Sequence, residues 1–186
     1  MVKSEVRREL KSVRNSIDGY EREILSKQAC DMISSLPEYA TADLILLYHP
    51  FGSELNVRFL ADKAVSDGKQ IAIPCMDGVE MRFLLVPSFQ HLPEMLYDLP
   101  YEHRGRYNEI TDFSRSICVV PALAVDKAGI RIGYGKGCYD RFLSGYCGIS
   151  VCAVFTSLFV DKLPAEEHDI TMDIAVIPGI GIKRFK

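Results

Sequence analysis

The sequence predicts an α/β fold with a mostly parallel central sheet, on three observations. Continuous apolar runs at 42–50, 116–125, 149–159 and 173–178 have the character of strands buried on both faces, as parallel strands are. Segments of helical periodicity lie between runs of strand, the alternation that builds such a sheet. The stretch GIRIGYGKGCYD (129–140) follows a strand and opens a helix, the position where these sheets hold ligands.

Taken in order, residues 2–15 read as a helix with Val6, Leu10, Val13 and Ile17 as its apolar stripe. Asp18 and Glu21 have capping-box spacing and start a second helix that reaches Leu36 and is ended by Pro37. Residues 42–50 are a strand, and 54–69 a helix stopped by Gly68. QIAIPCM (70–76) and MRFLLVP (81–87) are strands joined by an Asp77-Gly78 turn. Residues 88–115 are polar with scattered proline and glycine, and read as a long loop with little regular structure. SICVVPALAV (116–125) is a buried strand and Tyr139–Tyr146 a short helix. ISVCAVFTSLF (149–159) and DIAVIP (173–178) are further strands.

At 186 residues and 48% hydrophobic, the chain suits one domain over 1–186 with an ordinary core. A net charge of −3 argues against a nucleic-acid wrapper or a polybasic membrane binder. No apolar run approaches the ~20 residues of a membrane span, and MVKSEVRREL lacks the apolar core of a signal peptide. The six cysteines form no CxxC pair and no metal-type spacing with histidine, so reduced thiols and a cytoplasmic setting are expected.

The glycine stretch matches neither the GxxxxGK[ST] nor the GxGxxG pattern, yet its physics is similar. Gly133, Gly135 and Gly137 let successive N–H groups point at one anion. Lys136 adds a mobile charge, and Arg131 a planar fork suited to phosphate. A flexible solvated turn is the plain alternative. Asp140 serves either as a helix cap or as a hard ligand for Mg²⁺. LPAEEHDITMDIAV (163–176) supplies Glu166, Glu167, Asp169 and Asp173, as an acidic surface loop or as the second carboxylate. Lys3 and Arg7 lie four apart on one helical face, with Arg14 on the same stripe; a solvated basic face is the alternative.

With these residues in view, RIGYGKGCYDRFL (131–143), preceded by VVPALAVDKAG (119–129), resembles the 5-formyltetrahydrofolate cyclo-ligase family. KSEVRRELK, YHPFGSELNVRFL (48–60) and LPAEEHDITMD (163–173) agree, so the resemblance spans nearly the whole chain. It implies a three-layer α/β/α fold similar to the ribose-5-phosphate isomerase and coenzyme A transferase group. It also implies ATP- and Mg²⁺-dependent closure of 5-formyltetrahydrofolate, with or without a polyglutamate tail, to 5,10-methenyltetrahydrofolate with release of ADP and phosphate. The formyl oxygen would be phosphorylated, and N10 would then attack the activated carbon and expel phosphate.

By the same resemblance, Lys3, Arg7, Arg131, Gly133, Tyr134, Gly135, Lys136, Gly137, Cys138 and Tyr139 would meet ATP. His49, Glu54 and residues 134–138 (Tyr134, Gly135, Lys136, Gly137, Cys138) would meet the folate, and Asp140 and Asp169 the metal. Lys136 and Arg131 would offset charge at the transferred phosphoryl group. Glu54 could instead be a favourable charge in the first turn of its helix. The 88–115 loop becomes a candidate cover for the pterin. Departures are Tyr134 where some members carry arginine, Cys138 where an aromatic is usual, His49 where the position is often apolar, and Val57 where threonine is common. None touches the metal or the main cations, so activity is expected to survive them. A monomer without nucleic-acid or membrane partners is expected. Two rivals remain: a nucleotide- or sugar-phosphate-binding module without catalysis, and a folate binder without turnover.

Overall fold

The computed structural model describes residues 2–89, 105 and 107–186. The remainder of the 88–115 loop, and with it the notion of a pterin cover, lies outside the described residues. The helices are α1 (Lys3–Ser16), α2 (Gly19–Ser34), α3 (Pro37–Thr41), α4 (Arg58–Ser66) and α5 (Cys138–Leu143). The strands are β1 (Leu44–Leu46), β2 (Gln70–Asp77), β3 (Glu80–Val86), β4 (Glu109–Ile110), β5 (Ser116–Val120), β6 (Ala124–Asp126), β7 (Arg131–Ile132), β8 (Ile149–Ala153), β9 (Phe159–Val160), β10 (Ile174–Ile177) and β11 (Gly181–Arg184).

An 8-stranded sheet runs β11-β10-β8-β5-β1-β2-β3-β4, parallel from β10 through β2 and antiparallel at both edges. Every residue of β1, β5 and β10 is buried, as continuous apolar strands in a covered sheet must be. The step β1-α4-β2 moves toward one edge and β5-α5-β8 toward the other. Right-handed crossovers therefore place α4 and α5 on opposite faces, giving helix, sheet and helix layers. α2 joins α4 on its face. The direction of winding reverses between β1 and β5, so the loops leaving these neighbours diverge and open a crevice. A second, 3-stranded sheet, β7-β6-β9, is built on the β5 exit.

Several boundaries differ from expectation, each for a local reason. Pro37 begins α3 rather than only ending α2, because its missing N–H costs nothing at a first helical position. The 116–125 run splits at Pro121, which cannot donate to the ladder, and resumes as β6 in the other sheet. The 149–159 run splits likewise, where the Thr156 hydroxyl bonds the Pro178 carbonyl and a 3₁₀ turn intervenes. The 42–50 run pairs only over β1. The β2–β3 turn is Gly78-Val79, one residue later than expected, with Gly78 at φ 59. Helix α5 starts one residue before the expected Tyr139 and ends at Leu143, short of Tyr146. α4 starts at Arg58, since the Asn56 side chain accepts the Arg58 N–H at 3.1 Å and holds the chain out of the helix. β11 is polar, with three of its residues exposed, and carries little apolar signal.

Helix α1 corrects its predicted stripe. Val6, Leu10 and Ile17 do pack on the core, but Val13 is 39% exposed while Arg14 is 3% exposed. The inward face is Lys3, Val6, Arg7, Leu10, Arg14 and Ile17, so the basic stripe is turned into the protein rather than solvated. No described helix is long and apolar enough to cross a membrane.

Candidate functional site

The cations of α1 reach three different segments. Lys3 Nζ lies 2.9 and 2.6 Å from the two oxygens of Asp169 and 3.2 Å from Glu166 Oε2. Arg7 Nε donates to the Gly133 carbonyl at 2.9 Å. Arg14 Nε donates to Ser53 Oγ at 3.1 Å, and its Nη2 to the Tyr134 hydroxyl at 2.6 Å. Glu54, which accepts the Phe51 N–H at 2.9 Å, stands near enough to act on that hydroxyl. Burial, then Glu54, push the Tyr134 hydroxyl up to about 12 against the opposing pull of Arg14. Glu54 therefore lies in the β1 exit loop, not in the first turn of α4, and the plain helix-dipole account of it fails.

The glycine stretch is shaped by left-handed backbone. Gly135 has φ 91, and a Cβ there would stand 2.9 Å from Arg7 Cζ. Gly137 has φ 66 and caps α5. Arg131 is folded inward: its side chain is 5% exposed, its Nη2 reaches Asp140 Oδ1 at 3.1 Å, and its Nε is buried without a partner. The Tyr139 ring centroid lies 5.9 Å from Arg131 Cζ. Asp140 Oδ1 also accepts the Ile170 N–H at 3.3 Å, which seats the acid segment against α5. Burial would raise Asp169, but the bonds from Lys3 and the Glu166 N–H hold it below the usual carboxylate range. Lys3 is raised, burial being outweighed by Asp169 and Glu166.

Lys3, Arg7, Glu54, Arg131, Gly133, Tyr134, Gly135, Asp140 and Asp169 are thus brought together by direct contact. Lys136 is exposed and its Nζ has no partner among the described residues. Cys138 Sγ sits 3.6 Å from Arg141 Nη2 and 3.8 Å from the Lys136 carbonyl. His49 lies at the β1 exit, stacked on Phe89 with centroids 6.2 Å apart, and beside Arg58 at 3.1 Å. Asp173 ties the start of β8 to that of β10 through Ser150 N and Oγ, a structural role. Glu166, His168 and Asp169 cluster within 4.8 Å as possible metal ligands, but Lys3 lies against two of them. Ser53 carries contacts that no motif signalled; Asp126 lies within the VVPALAVDKAG stretch but was given no role there, and for Arg14 the signal was its place on the stripe with Lys3 and Arg7.

This is an α/β protein whose strand exits gather cations, carboxylates and a glycine loop, the class in which backbone N–H groups hold anionic ligands. The chain belongs to the 5-formyltetrahydrofolate cyclo-ligase family: residues 1–178 match that family's model. It is 30% identical over 195 residues to the 5-formyltetrahydrofolate cyclo-ligase of Mycolicibacterium smegmatis, covering 97% of this chain and 95% of that one. It is 24% identical over 172 residues to that of Escherichia coli K12, covering 89% and 94%. The NMR structure of Aquifex aeolicus 5,10-methenyltetrahydrofolate synthetase superposes with TM-score 0.83 at 27% identity, over 100% of this chain and 94% of that one. By family, the chain is a ligase of folate one-carbon metabolism.

Proposed function

We propose that the chain, acting as one domain over 1–186, closes 5-formyltetrahydrofolate to 5,10-methenyltetrahydrofolate with conversion of ATP to ADP and phosphate, the formyl oxygen leaving in the phosphate, in the cytoplasm and as a monomer. The observation that carries the reading is the single run of contacts from Asp169 through α1 to the glycine loop and Glu54. One end is rich in cations and carboxylates and the other presents a carboxylate and aromatic rings, as a nucleotide and a pterin require.

The residues fit a divalent cation with phosphates. Asp140 and Asp169 are hard oxygen donors, and Asp140 makes both its bonds through Oδ1. Arg131 Nε is a buried donor awaiting an acceptor. Asp140 and Asp169 would hold Mg²⁺, whose charge would offset that of the triphosphate. Lys3 stands against Asp169 and Arg131 against Asp140, so each acid and each cation is held in place by the other. Ligand entry then becomes an exchange of partners, which avoids exposing an unpaired buried charge.

A formamide oxygen is a weak nucleophile, so positioning and charge neutralisation carry the rate. Lys136, exposed and unpaired among the described residues, faces the phosphoryl group; the loop N–H groups orient it; Glu54 accepts the pterin's donors in a fork. The exposed rings of Tyr134 and Phe51, both beside Glu54, offer apolar surface to the pterin. No step needs a protein nucleophile, and Cys138 has no base among its partners.

The test is near-ultraviolet absorbance of the protein with 5-formyltetrahydrofolate, Mg²⁺ and ATP. The methenyl chromophore is expected only when ATP is present. No rise, with both ligands bound, would leave a binding module.

A further inference from the structure

Asp126 ends β6, is 2% exposed, and has no cationic partner among the described residues. Its Oδ1 accepts the N–H groups of Ala128 at 2.9 Å and Ile130 at 3.0 Å. These bonds shape the turn 126–130, which is also closed by Asp126 N to Ile130 O at 2.9 Å. Its Oδ2 accepts the Leu163 N–H at 2.9 Å, at the start of the acid segment. The far end of that segment returns to the same turn, where Met172 N donates to Gly129 O at 2.9 Å. Contact there is close: a Cβ on Gly129 would stand 2.6 Å from Phe185 and 2.9 Å from Thr171. From one side of the turn run Arg131 and the glycine loop. From the other hang Glu166, His168 and Asp169.

We infer that Asp126 is a positioning residue that fixes the acid segment against the glycine loop, and so sets Asp169 relative to Asp140. The inference rests on the function proposed above. The turn alone does not require aspartate, since asparagine or serine offers one acceptor oxygen for the N–H groups of Ala128 and Ile130. The second oxygen is required only by Leu163. An asparagine that kept the turn would aim its NH₂ at the Leu163 N–H, donor against donor.

Asp126→Asn therefore separates the two roles. Amide exchange at Leu163 in the ligand-free protein should quicken about 10- to 100-fold, the worth of one bond to a charged acceptor. By calorimetry, affinity for ATP with Mg²⁺ should fall at least fivefold, while that for 5-formyltetrahydrofolate stays within twofold. Unchanged exchange at Leu163, or equal loss of both affinities, overturns the inference, because a merely structural defect would not distinguish the ligands. ATP binding by the unaltered protein tests the proposed function first; its absence overturns that reading and this one together. Where Asp126→Asn does not fold, the unaltered protein decides. Its Leu163 amide must exchange more slowly with ATP and Mg²⁺ than with folate alone, and equal rates overturn the inference.

Discussion

Tyr134→Phe removes one oxygen from the middle of the contact run. That oxygen accepts from Arg14 Nη2 at 2.6 Å and lies beside Glu54. A hydrogen bond to a charged group contributes about 1.5–3 kcal/mol. Tyr134 is 48% exposed, so water replaces part of it, and the lower figure, about 1.5 kcal/mol, is the better expectation. For a chain of this size each kcal/mol shifts Tm by about 2–4 °C, so Tm should fall by about 3–6 °C. Arg14→Ala costs more, since it also loses Ser53 and the cover of the Tyr134 ring, whose centroid is 5.5 Å from Arg14 Cζ. The double variant should then show a coupling of about 1 kcal/mol or more between the two sites by urea unfolding. In the assay, the KM for 5-formyltetrahydrofolate should rise roughly fivefold, equivalent to about 1 kcal/mol of lost Glu54 positioning, with the KM for ATP unchanged. Additive variants, within about 0.5 kcal/mol, would show that the Arg14–Tyr134 contact carries nothing. A rise in the ATP value alone would place Tyr134 with the nucleotide instead.

Lys136→Ala should cut turnover by at least about 100-fold while folate binding remains measurable by calorimetry, because the charge is needed at the phosphoryl step. Asp140→Asn should raise the Mg²⁺ concentration for half-maximal activity; an unchanged titration would leave Asp140 as the partner of Arg131 and nothing more. Gly135→Ala should lower activity and Tm together, since φ 91 strains any side chain and the new Cβ meets Arg7 at 2.9 Å; a variant indistinguishable in both would remove Arg7 from the account. Asp169 is lowered by Lys3, so its contribution to stability is full above the ordinary carboxylate range, about pH 4, and is lost as pH falls through the lowered value. Lys3→Met should flatten that acid limb of stability, read by circular dichroism between pH 5 and 2.

The sheet was legible where burial is two-sided. β1, β5, β8 and β10 are apolar apart from Ser116 and Ser150 because both faces are covered, and no partner residue has to be known to see it. What composition alone did not mark was where such a run changes sheets. Pro121 is a local signal, but the pairing of β6 with β9 and β7 is a long-range fact set by Asp126, Leu163 and Met172. β11 pairs through its backbone, and its exposed side chains leave no pattern to read.

The same distinction governs the site. Lys136, the glycines and Asp140 announce themselves because positive φ and anion binding restrict residue type locally. The orientation of α1 does not. Its apolar residues suggest an inward face through Val13, and only the acceptors waiting at Ser53, Gly133, Tyr134 and Asp169 turn the helix so that Lys3, Arg7 and Arg14 point in. A helix whose buried face is half cationic pays desolvation for every charge unless each is met. Lys3 meets two carboxylates, Arg7 a carbonyl, and Arg14 two hydroxyls. The tyrosine at position 134 thus does not leave that point without a cation: its hydroxyl is an acceptor that brings the Arg14 guanidinium to it, from a different element of the fold.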